Sequence, residues 1–200
     1  MEIYNRYGIV GGLRLLISTI YTKLMYPKAR LIRLPFDIRY SSLIDLGRNL
    51  TTGFGCRLEV DPVKGSKEKY LIFGDNVQLN DYVHIAVSEK VVIGNDVLIA
   101  SRVFISDHNH GFYSGDNQDS PLTKPRDRLL STNAVYIKDN VWIGENVCIL
   151  PGVTIGKGCV IGSMSVVTKS IPDYSIAVGV PAKVIKIFDF EINQWVSTTK

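Results

Sequence analysis

Two histidines stand close together in the stretch Asp107-His108-Asn109-His110, the part of the chain best suited to acid–base chemistry. An unperturbed imidazole titrates near pH ~6.5, so it can accept a proton from a hydroxyl at neutral pH. The third histidine, His84, falls at an outward position of the repeat described below, and we interpret it as a surface residue. The pair at 108 and 110 is therefore the first candidate for a general base.

The three cysteines are less suited to nucleophilic chemistry. Cys56 and Cys159 occupy small, inward positions of the repeat, and Cys148 has no candidate base beside it. An odd number of cysteines without framework spacing argues against a disulfide scaffold and is typical of a reducing cytoplasm. We predict a cytoplasmic protein that forms no acyl-enzyme on cysteine.

A six-residue repeat over residues 135–169 must position these groups. An aliphatic residue recurs at every sixth position: Ile137, Ile143, Ile149, Ile155, Ile161 and Val167. A second small or aliphatic residue follows four positions later: Val141, Val147, Val153, Cys159 and Ser165. A period of six is three strand periods and not a multiple of the helical ~3.6, so the pattern is typical of a hexapeptide β-helix. Glycines at a fixed phase, Gly144, Gly156 and Gly162, are predicted to supply its tight corners.

The same repeat extends upstream with one large interruption. Its aliphatic position recurs at Leu46, Thr52, Leu58, Phe73, Leu79, Ile85, Ile93, Ile99 and Ile105. The phase is lost over residues 107–134, and a loop that long in a compact solenoid is usually functional. The polar stretch 61–69 is predicted to be a smaller surface loop. Three hexapeptides make one coil, so the repeat predicts about five coils.

The pattern divides the chain into three parts. Residues 1–40 are predicted to form an N-terminal helical and extended segment. Residues 41–169 are predicted to form the β-helix with its loop at 107–134. Residues 170–200 are predicted to be a C-terminal tail that covers the open end of the β-helix.

The N-terminal segment contains an apolar stretch over residues 9–26 that predicts a helix ended by Pro27. Charges at Arg14 and Lys23 interrupt it, whereas a spanning helix needs about 20 mostly uncharged residues. We favour packing against the β-helix or a neighbouring subunit. The alternative is an interfacial helix whose basic residues meet anionic headgroups: Arg6, Arg14, Lys23 and Lys28.

Four motifs carry a resemblance to a known family: IGNDVLIASRVFIS, DHNH, VWIG and GVPAKVI. With them the chain resembles the hexapeptide-repeat acyltransferases, in the branch of maltose, galactoside, nodulation-factor and surface-polysaccharide O-acetyltransferases. The resemblance covers residues 73–186 outside the loop interior, and RYGIVGGLRLL is most similar to O-antigen acetyltransferases. It implies an all-β left-handed parallel β-helix, an exception to the usual right-handed crossover. It also implies a homotrimer with acetyl-CoA in the groove between subunits and no metal requirement.

The resemblance assigns the candidate catalytic and acceptor residues. A gapless alignment places His110 on the catalytic histidine of the family, whereas His108 falls on a position that is not histidine in the sugar acetyltransferases. Asn80 falls on a residue that lines the acceptor site, and Ser88 replaces an acidic residue that contacts sugar in the galactoside enzymes. In the loop, Tyr113 and Arg126 suit a sugar face and a phosphate.

The resemblance also assigns the cofactor contacts. Trp142 points outward and is expected to be covered by the pantetheine arm, the acceptor or a neighbouring subunit. The family uses backbone amides at the positions of Glu145 and Ser163. The positions that commonly meet the phosphates of CoA are occupied by Thr168, Lys169, Lys183 and Lys186.

These features predict an O-acetyltransferase that transfers acetyl from acetyl-CoA to a sugar hydroxyl of an O-antigen or capsule type polysaccharide, or its precursor. His110 is the predicted general base for direct transfer. Three alternatives stay open: an amino-sugar N-acetyltransferase, a γ-carbonic-anhydrase-like metal site built from the three histidines across subunits, and a non-catalytic β-helix. The net charge of +4 with scattered basic residues argues against nucleic acid as a partner. The predicted acceptor is a sugar or oligosaccharide, with a lipid-linked form and peripheral contact at the inner membrane face as options.

Overall fold

A computed structural model describes residues 2–62 and 68–198 of the chain. Most of the predicted surface loop at 61–69 therefore lies outside the described residues. One helix, α1, spans Glu2–Met25, and short 3₁₀ turns lie at Ser41–Leu43 and Pro125–Asp127. The strands are β1 Leu31–Ile32, β2 Phe36–Arg39, β3 Ile44–Asp45, β4 Thr51–Thr52, β5 Cys56–Val60, β6 Leu71–Phe73, β7 Gln78–Leu79, β8 His84–Val87, β9 Val91–Ile93, β10 Leu98–Ile99, β11 Phe104–Ser106, β12 His108–His110, β13 Leu130–Thr132, β14 Val135–Ile137, β15 Trp142–Ile143, β16 Cys148–Ile149, β17 Thr154–Ile155, β18 Val160–Ile161, β19 Val166–Val167, β20 Ser175–Gly179, β21 Ala182–Asp189 and β22 Gln194–Ser197.

Three stacked parallel sheets form the body of the protein. In sheet A the neighbouring strands are, in order, β1-β4-β7-β10-β15-β18-β20. In sheet B they are β2-β5-β8-β11-β16-β19, and in sheet C they are β3-β6-β9-β14-β17. Successive coils contribute one strand to each sheet, so the chain winds as a parallel β-helix with three faces. Antiparallel β21 and β22 extend sheet A beyond β20.

The aliphatic positions of the repeat stack in columns through the interior. In sheet A, Ile99 lies in register between Leu79 and Ile143, and all three are almost completely buried. The predicted inner small positions are buried as well, from Leu50 and Cys56 to Cys159 and Ser165. Burial of each Val, Leu or Ile side chain stabilises the fold by roughly 1.5–3 kcal/mol, so these columns are the main source of stability.

The glycines do not play the role that the sequence predicted for them. The left-handed corner positions are held mainly by other residues, among them Asn76, Asp96, Asn140 and Asn146, with φ between 56° and 60°. Gly144 and Gly156 are not among the positive-φ residues. A Cβ on Gly156 would lie 2.4 Å from the backbone nitrogen of Asp173 in the next coil. Glycine is required here by close stacking of coils, and asparagine and aspartate tolerate the left-handed corners.

The β-helix is longer at both ends than the predicted range 41–169. Parallel pairing begins at Leu31, and the aliphatic columns begin at Ile32 and Ile38, which lie opposite Thr52 and Leu58 of the next coil. The six-stranded sheet B accordingly indicates six coils in the described residues, one more than predicted. At the other end, β20 at Ser175–Gly179 still pairs in parallel with β18, inside the predicted tail.

Helix α1 packs its small polar side chains against the first coil. The hydroxyl of Thr22 accepts a hydrogen bond from the Ile32 N–H at 2.8 Å, and Ser18 accepts one from the Leu34 N–H at 3.2 Å. These N–H groups lie at the edge of sheet A, where no earlier coil exists to accept them. The predicted packing against the β-helix is thus confirmed for the polar side of the helix.

The opposite side of α1 is apolar and exposed. It carries Ile9, Val10, Leu13, Leu16, Ile17, Ile20, Leu24 and Met25. The segment Asn5–Met25 is long and apolar enough to cross a membrane, by length and composition only. The backbone of α1 departs from helical geometry at Gly8, with φ 63° and ψ −173°.

Candidate active site

The long loop leaves the β-helix at the corner between sheets B and C. Its two ends pair as an antiparallel hairpin, with His108 opposite Thr132 and His110 opposite Leu130. The loop is therefore a structured projection at its base, and its histidines are held on a strand.

Asp107 anchors the base of this hairpin from inside the protein. Its side chain is 0% exposed, and its carboxylate accepts backbone hydrogen bonds from Ser88, Glu89 and Lys90 at 2.7–2.8 Å. The same carboxylate lies 2.9 Å from Nδ1 of His108. Three N–H donors and one imidazole satisfy the buried charge, which would otherwise be costly.

The two histidines of the corner have different environments. The His108 side chain is 17% exposed and is held by Asp107. The His110 side chain is exposed, and the two ring centroids are 6.4 Å apart. Asp107 therefore orients the imidazole of His108 and not that of His110.

Tyr113 supports the backbone of His110. Its hydroxyl donates to the His110 carbonyl oxygen and accepts a hydrogen bond from Nη1 of Arg128 at 2.7 Å. The Arg128 guanidinium also lies over the tyrosine ring, 5.8 Å from its centroid. Arg126, the other loop residue predicted to bind substrate, is exposed and pairs only loosely with Asp127 at 3.5 Å.

The remaining predicted residues lie mostly on the outer surface of sheet A, which we call face A. Trp142 is 52% exposed there, in register with Leu98 on one side and Val160 on the other. The register continues from Val160 to Ile176 and from Ile176 to Lys186. Face A thus presents an aromatic ring followed by two aliphatic side chains and a lysine. Lys183 lies on the same strand as Lys186.

Glu145 and Ser163 meet at the corner between sheets A and B. The Glu145 N–H donates to the Ser163 hydroxyl at 3.1 Å, and the Glu145 carboxylate pairs with Arg102 at 3.2 Å. Thr168 and Lys169 are exposed in the last coil at the corner between sheets B and C. The structure therefore separates these two residues from the other predicted CoA contacts.

Asn80 lies near the N-terminal end of face A and lines a cavity of about 390 Å³. Its side-chain oxygen accepts a hydrogen bond from Gln78 at 3.1 Å. Other residues of this cavity were not predicted as site residues: Arg6, Tyr7, Arg33, Thr51 and Asp81. They come from segments outside the repeat or from neighbouring coils, so no sequence pattern linked them to Asn80.

The predicted site residues therefore fall on two opposite sides of the β-helix. His110 and the loop lie at the corner between sheets B and C, and the face opposite that corner is face A. The buried aliphatic columns lie between them, so the two sets cannot meet within one chain.

His84 lies apart from the other two histidines. Its Nε2 is 2.8 Å from the Glu59 carboxylate, and its ring is tilted by 52° against the ring of Phe104, with the centroids 5.2 Å apart. Among the residues that the structure describes, no group of three His, Cys, Asp or Glu side chains could hold a metal ion.

The cysteines have the environments predicted from the repeat. Burial raises the pKa of the Cys56 thiol to about 11 and also raises the pKa of Cys159. Thiols with raised pKa values are poor nucleophiles at neutral pH. Cys148 is a free, partly exposed cysteine on sheet B.

The fold is a hexapeptide-repeat β-helix that carries His110 at the corner between sheets B and C and Trp142 on face A. The family described as bacterial transferase hexapeptide (six repeats) matches residues 134–169. The chain is 46% identical, over 196 residues, to the putative lipopolysaccharide biosynthesis O-acetyl transferase WbbJ of Escherichia coli (strain K12). This similarity covers 98% of the chain and 97% of WbbJ. The chain belongs to the hexapeptide-repeat acyltransferase family and is an acyltransferase, as the motifs predicted.

Two solved structures share the fold. A variant of AntD, an N-acyltransferase from Bacillus cereus in complex with dTDP-4-amino-4,6-dideoxyglucose and coenzyme A, has a TM-score of 0.66 and 27% identity. This match covers 82% of the chain and 83% of AntD. A galactoside acetyltransferase in complex with coenzyme A has a TM-score of 0.51 and 31% identity, over 74% and 70% of the two chains.

Proposed function

We propose that this protein transfers acetyl from acetyl-CoA to a sugar hydroxyl of a bacterial surface polysaccharide, of the lipopolysaccharide O-antigen type, or of its precursor. The observation that carries the acceptor class is the full-length similarity to WbbJ, named as a lipopolysaccharide O-acetyl transferase. The CoA complexes of the two related structures support acetyl-CoA as the donor.

In this proposal His110 is the general base of a direct transfer. The acceptor hydroxyl loses its proton to the neutral imidazole as it attacks the thioester carbonyl; the C–S bond then breaks, and the leaving CoA thiolate takes the proton from the imidazolium. An exposed imidazole on a supported strand can reach a hydroxyl that arrives from outside the chain. His108 is held by a buried carboxylate, so its first role is to fix the hairpin, and it is the rival candidate for the base.

Face A is the proposed CoA track. Trp142, Val160 and Ile176 offer an apolar path for the pantetheine arm. Lys186 lies three strands beyond Trp142, about 14 Å away at the usual strand spacing. A lysine at that end provides a positive charge for the CoA phosphates. Lys183, Glu145 and Ser163 lie beside this track, whereas Thr168 and Lys169 would contact CoA from a different subunit.

The proposed assembly is a homotrimer of left-handed β-helices. Its support is the placement of His110 and face A on opposite sides of the chain: a ring of subunits lets the corner of one meet face A of the next. The exposed Trp142 would be covered in that arrangement. The left hand is supported by family membership.

The proposed location is the cytoplasm, with peripheral contact at the inner membrane face through α1. Its exposed apolar side and flanking basic residues match a helix that lies in the headgroup region. Flotation with vesicles of phosphatidylglycerol and phosphatidylethanolamine tests this contact. Leu13→Glu and Leu16→Glu together should abolish flotation, whereas Leu122→Glu, an exposed leucine of the loop, should not.

Mass spectrometry of reaction products tests the proposed function. Purified protein is incubated with acetyl-CoA and surface-polysaccharide repeat units in free, nucleotide-linked and lipid-linked forms, and products with one added acetyl group are sought. The likeness to AntD makes N-acetylation of an amino sugar the second candidate. Mild alkali removes an O-acetyl ester and leaves an amide, so an alkali-stable product would favour the second candidate.

A further inference from the structure

The cavity around Asn80 combines features that suit an anionic ligand. It lies between the start of α1 and the first coils of face A, with a volume of about 390 Å³. Two guanidinium groups line it, Arg6 from the helix and Arg33 from the first coil. The amides of Gln78 and Asn80 line its other side. Two cations beside neutral hydrogen-bonding groups are typical of phosphate recognition with an attached polar group.

Neither arginine is neutralised within the described part of the chain. Arg33 donates to the Tyr7 hydroxyl at 3.0 Å, and both Arg6 and Arg33 lie 5.5 Å from the centroid of the Tyr7 ring. The ion pairs of the described residues include neither of them. The hydrogen bond from Arg33 and its positive charge lower the pKa of Tyr7, as expected where positive potential is unbalanced.

One carboxylate, that of Asp81, also lines the cavity, and one of its oxygens already accepts a hydrogen bond from the backbone. Asp81 accepts a hydrogen bond from the Phe54 N–H at 2.8 Å. The cavity therefore keeps a positive balance of two guanidinium groups against one carboxylate.

Two glycines shape the backbone around this cavity. Gly8 breaks α1 with φ 63°, so the turn that carries Arg6 and Tyr7 takes a different direction from the rest of the helix. Gly53 lies on the coil between those of Arg33 and Asn80 and lines the cavity, and it is needed there because these coils stack closely. A Cβ there would lie 2.4 Å from the backbone of Asn80.

We propose that this cavity binds a phosphate or diphosphate group attached to the acceptor sugar. The sugar part of this inference rests on the proposed function. Gln78, which lines the cavity beside Asn80, lies in register two strands from Trp142 along face A, about 10 Å at the usual spacing. A phosphate held by Arg6 and Arg33 therefore places the attached sugar, or the one after it, next to Trp142, where the acetyl thioester would lie. The diphosphate could belong to a nucleoside diphosphate or to a lipid carrier, and the chemistry of recognition is the same.

Titration calorimetry tests this cavity without turnover. The protein is first saturated with CoA, so that the diphosphate site of the donor is filled. It is then titrated with inorganic diphosphate, with UDP and with farnesyl diphosphate. Wild type should bind inorganic diphosphate, and tighter binding of UDP or of farnesyl diphosphate identifies the nucleotide or the lipid source.

Arg33→Gln and Arg6→Gln should each weaken binding about tenfold or more, since each removes a charge-assisted contact. Arg30→Gln is the matched control, because Arg30 is exposed, precedes the same first strand and does not line the cavity. Equal losses in all three variants, or no binding by wild type, overturn the proposal. Arg6 is exposed on the first turns of α1, so its variant remains informative if Arg33→Gln lowers the melting temperature.

The kinetic arm separates this inference from the proposed function. Arg6→Gln should raise the KM for the diphosphate-linked unit about tenfold or more, and should raise the KM for the free repeat unit much less. If sugars are acetylated with no preference for the diphosphate-linked form and the protein does not bind diphosphate, the proposed phosphate site is overturned while the proposed function stands. Diphosphate binding that depends on both arginines, with no sugar acetylated, supports the cavity and contradicts the proposed function.

Discussion

At the scale of single residues, the two histidines of the corner at 107–110 differ: His108 is held by Asp107, and His110 is exposed. Asp107 and His108 face inward and fix the hairpin through backbone contacts to residues 88–90. His110 is displayed outward, and Tyr113 ties its carbonyl to Arg128. The proposed role of His110 as a base that meets substrate bound to another subunit calls for this combination of exposure and a supported backbone.

His110→Ala should lower kcat by about 10²–10⁴-fold, the usual contribution of a general base. The affinity for acetyl-CoA and the melting temperature should change little, because His110 is exposed and its ring makes no hydrogen bond in the described structure. His110→Ala and His108→Ala are the matched pair of variants, to be compared by steady-state kinetics and CoA titration. His108→Ala should mainly lower stability, and a larger loss of kcat in His108→Ala would reverse the assignment of the base.

Glu59 is a residue whose charge should matter for stability rather than for catalysis. Burial alone would raise its pKa, but hydrogen bonds and charges from His84 and Arg57 outweigh burial and lower the pKa. A carboxyl whose pKa is lower in the folded than in the unfolded state stabilises the fold at any pH above its unfolded-state pKa. That contribution is lost as the pH falls through the folded-state pKa. Glu59→Gln should therefore cost about 1–3 kcal/mol at pH 7, and the gap to wild type should shrink under acid. Urea unfolding at pH 7 and pH ~3.5 measures this; an equal gap at both would rule out the ionic contribution.

At the scale of elements, the loop is an insertion between β11 in sheet B and β14 in sheet C that leaves the stacking of coils undisturbed. Gly94 of the coil still bonds to Ile137 across the insertion, and Asn133 bonds back to Asp107 at 2.7 Å. The loop interior can therefore vary while the hairpin at its base keeps His110 in place.

Replacement of residues 114–127 by a short Gly-Ser linker should abolish acetylation of polysaccharide units. Tyr113 and Arg128 are in contact, so the ends to be joined are close and the hairpin is retained. CoA affinity should stay within about twofold, because the proposed CoA track lies on face A. Product analysis and CoA titration measure the two effects, with Arg126→Ala as a milder companion. A parallel loss of CoA binding would contradict this division between acceptor loop and donor face.

At the scale of the whole molecule, the main consequence of the fold is the separation of His110 from face A. The aliphatic core that stabilises the β-helix also keeps His110 away from Trp142 and Asn80. A second copy of the chain offers the missing side without any change in fold, since each copy carries both surfaces.

Mixing of two inactive variants tests this arrangement. His110→Ala lacks the base, and Trp142→Ala lacks the ring of face A. Co-expressed and co-purified in equal amounts, they should regain about a quarter of the wild-type sites, because one interface in each mixed trimer has both residues intact. Turnover of the mixture against each parent measures this, and sedimentation checks the oligomer. Activity of a monomer, or no recovery in verified mixed trimers, would contradict an active site shared between subunits.

The amino-acid sequence by itself determined the repeat, the buried columns, the position of the long loop and, through its motifs, the family. These are local properties: each hexapeptide contacts only its neighbours, so periodicity alone predicts which side chains are inside. The N-terminal coil was missed because its aliphatic spacing is separated from the rest by two extra residues before Leu46. The glycine corners were misread because close stacking between coils leaves the same residue preference as a tight turn.

Only the tertiary structure decided which polar side chains meet. Asp107 pairs with His108 and with three N–H groups about 18 residues earlier. Arg6, Arg33 and Asn80 share one cavity although the helix, the first coil and the third coil supply them separately. Such contacts depend on the direction of each element and on how coils stack, and neither leaves a fixed spacing along the chain. The placement of His110 and face A on opposite sides likewise follows from the closure of three sheets around one core. The six-residue repeat does not show which strand belongs to which sheet.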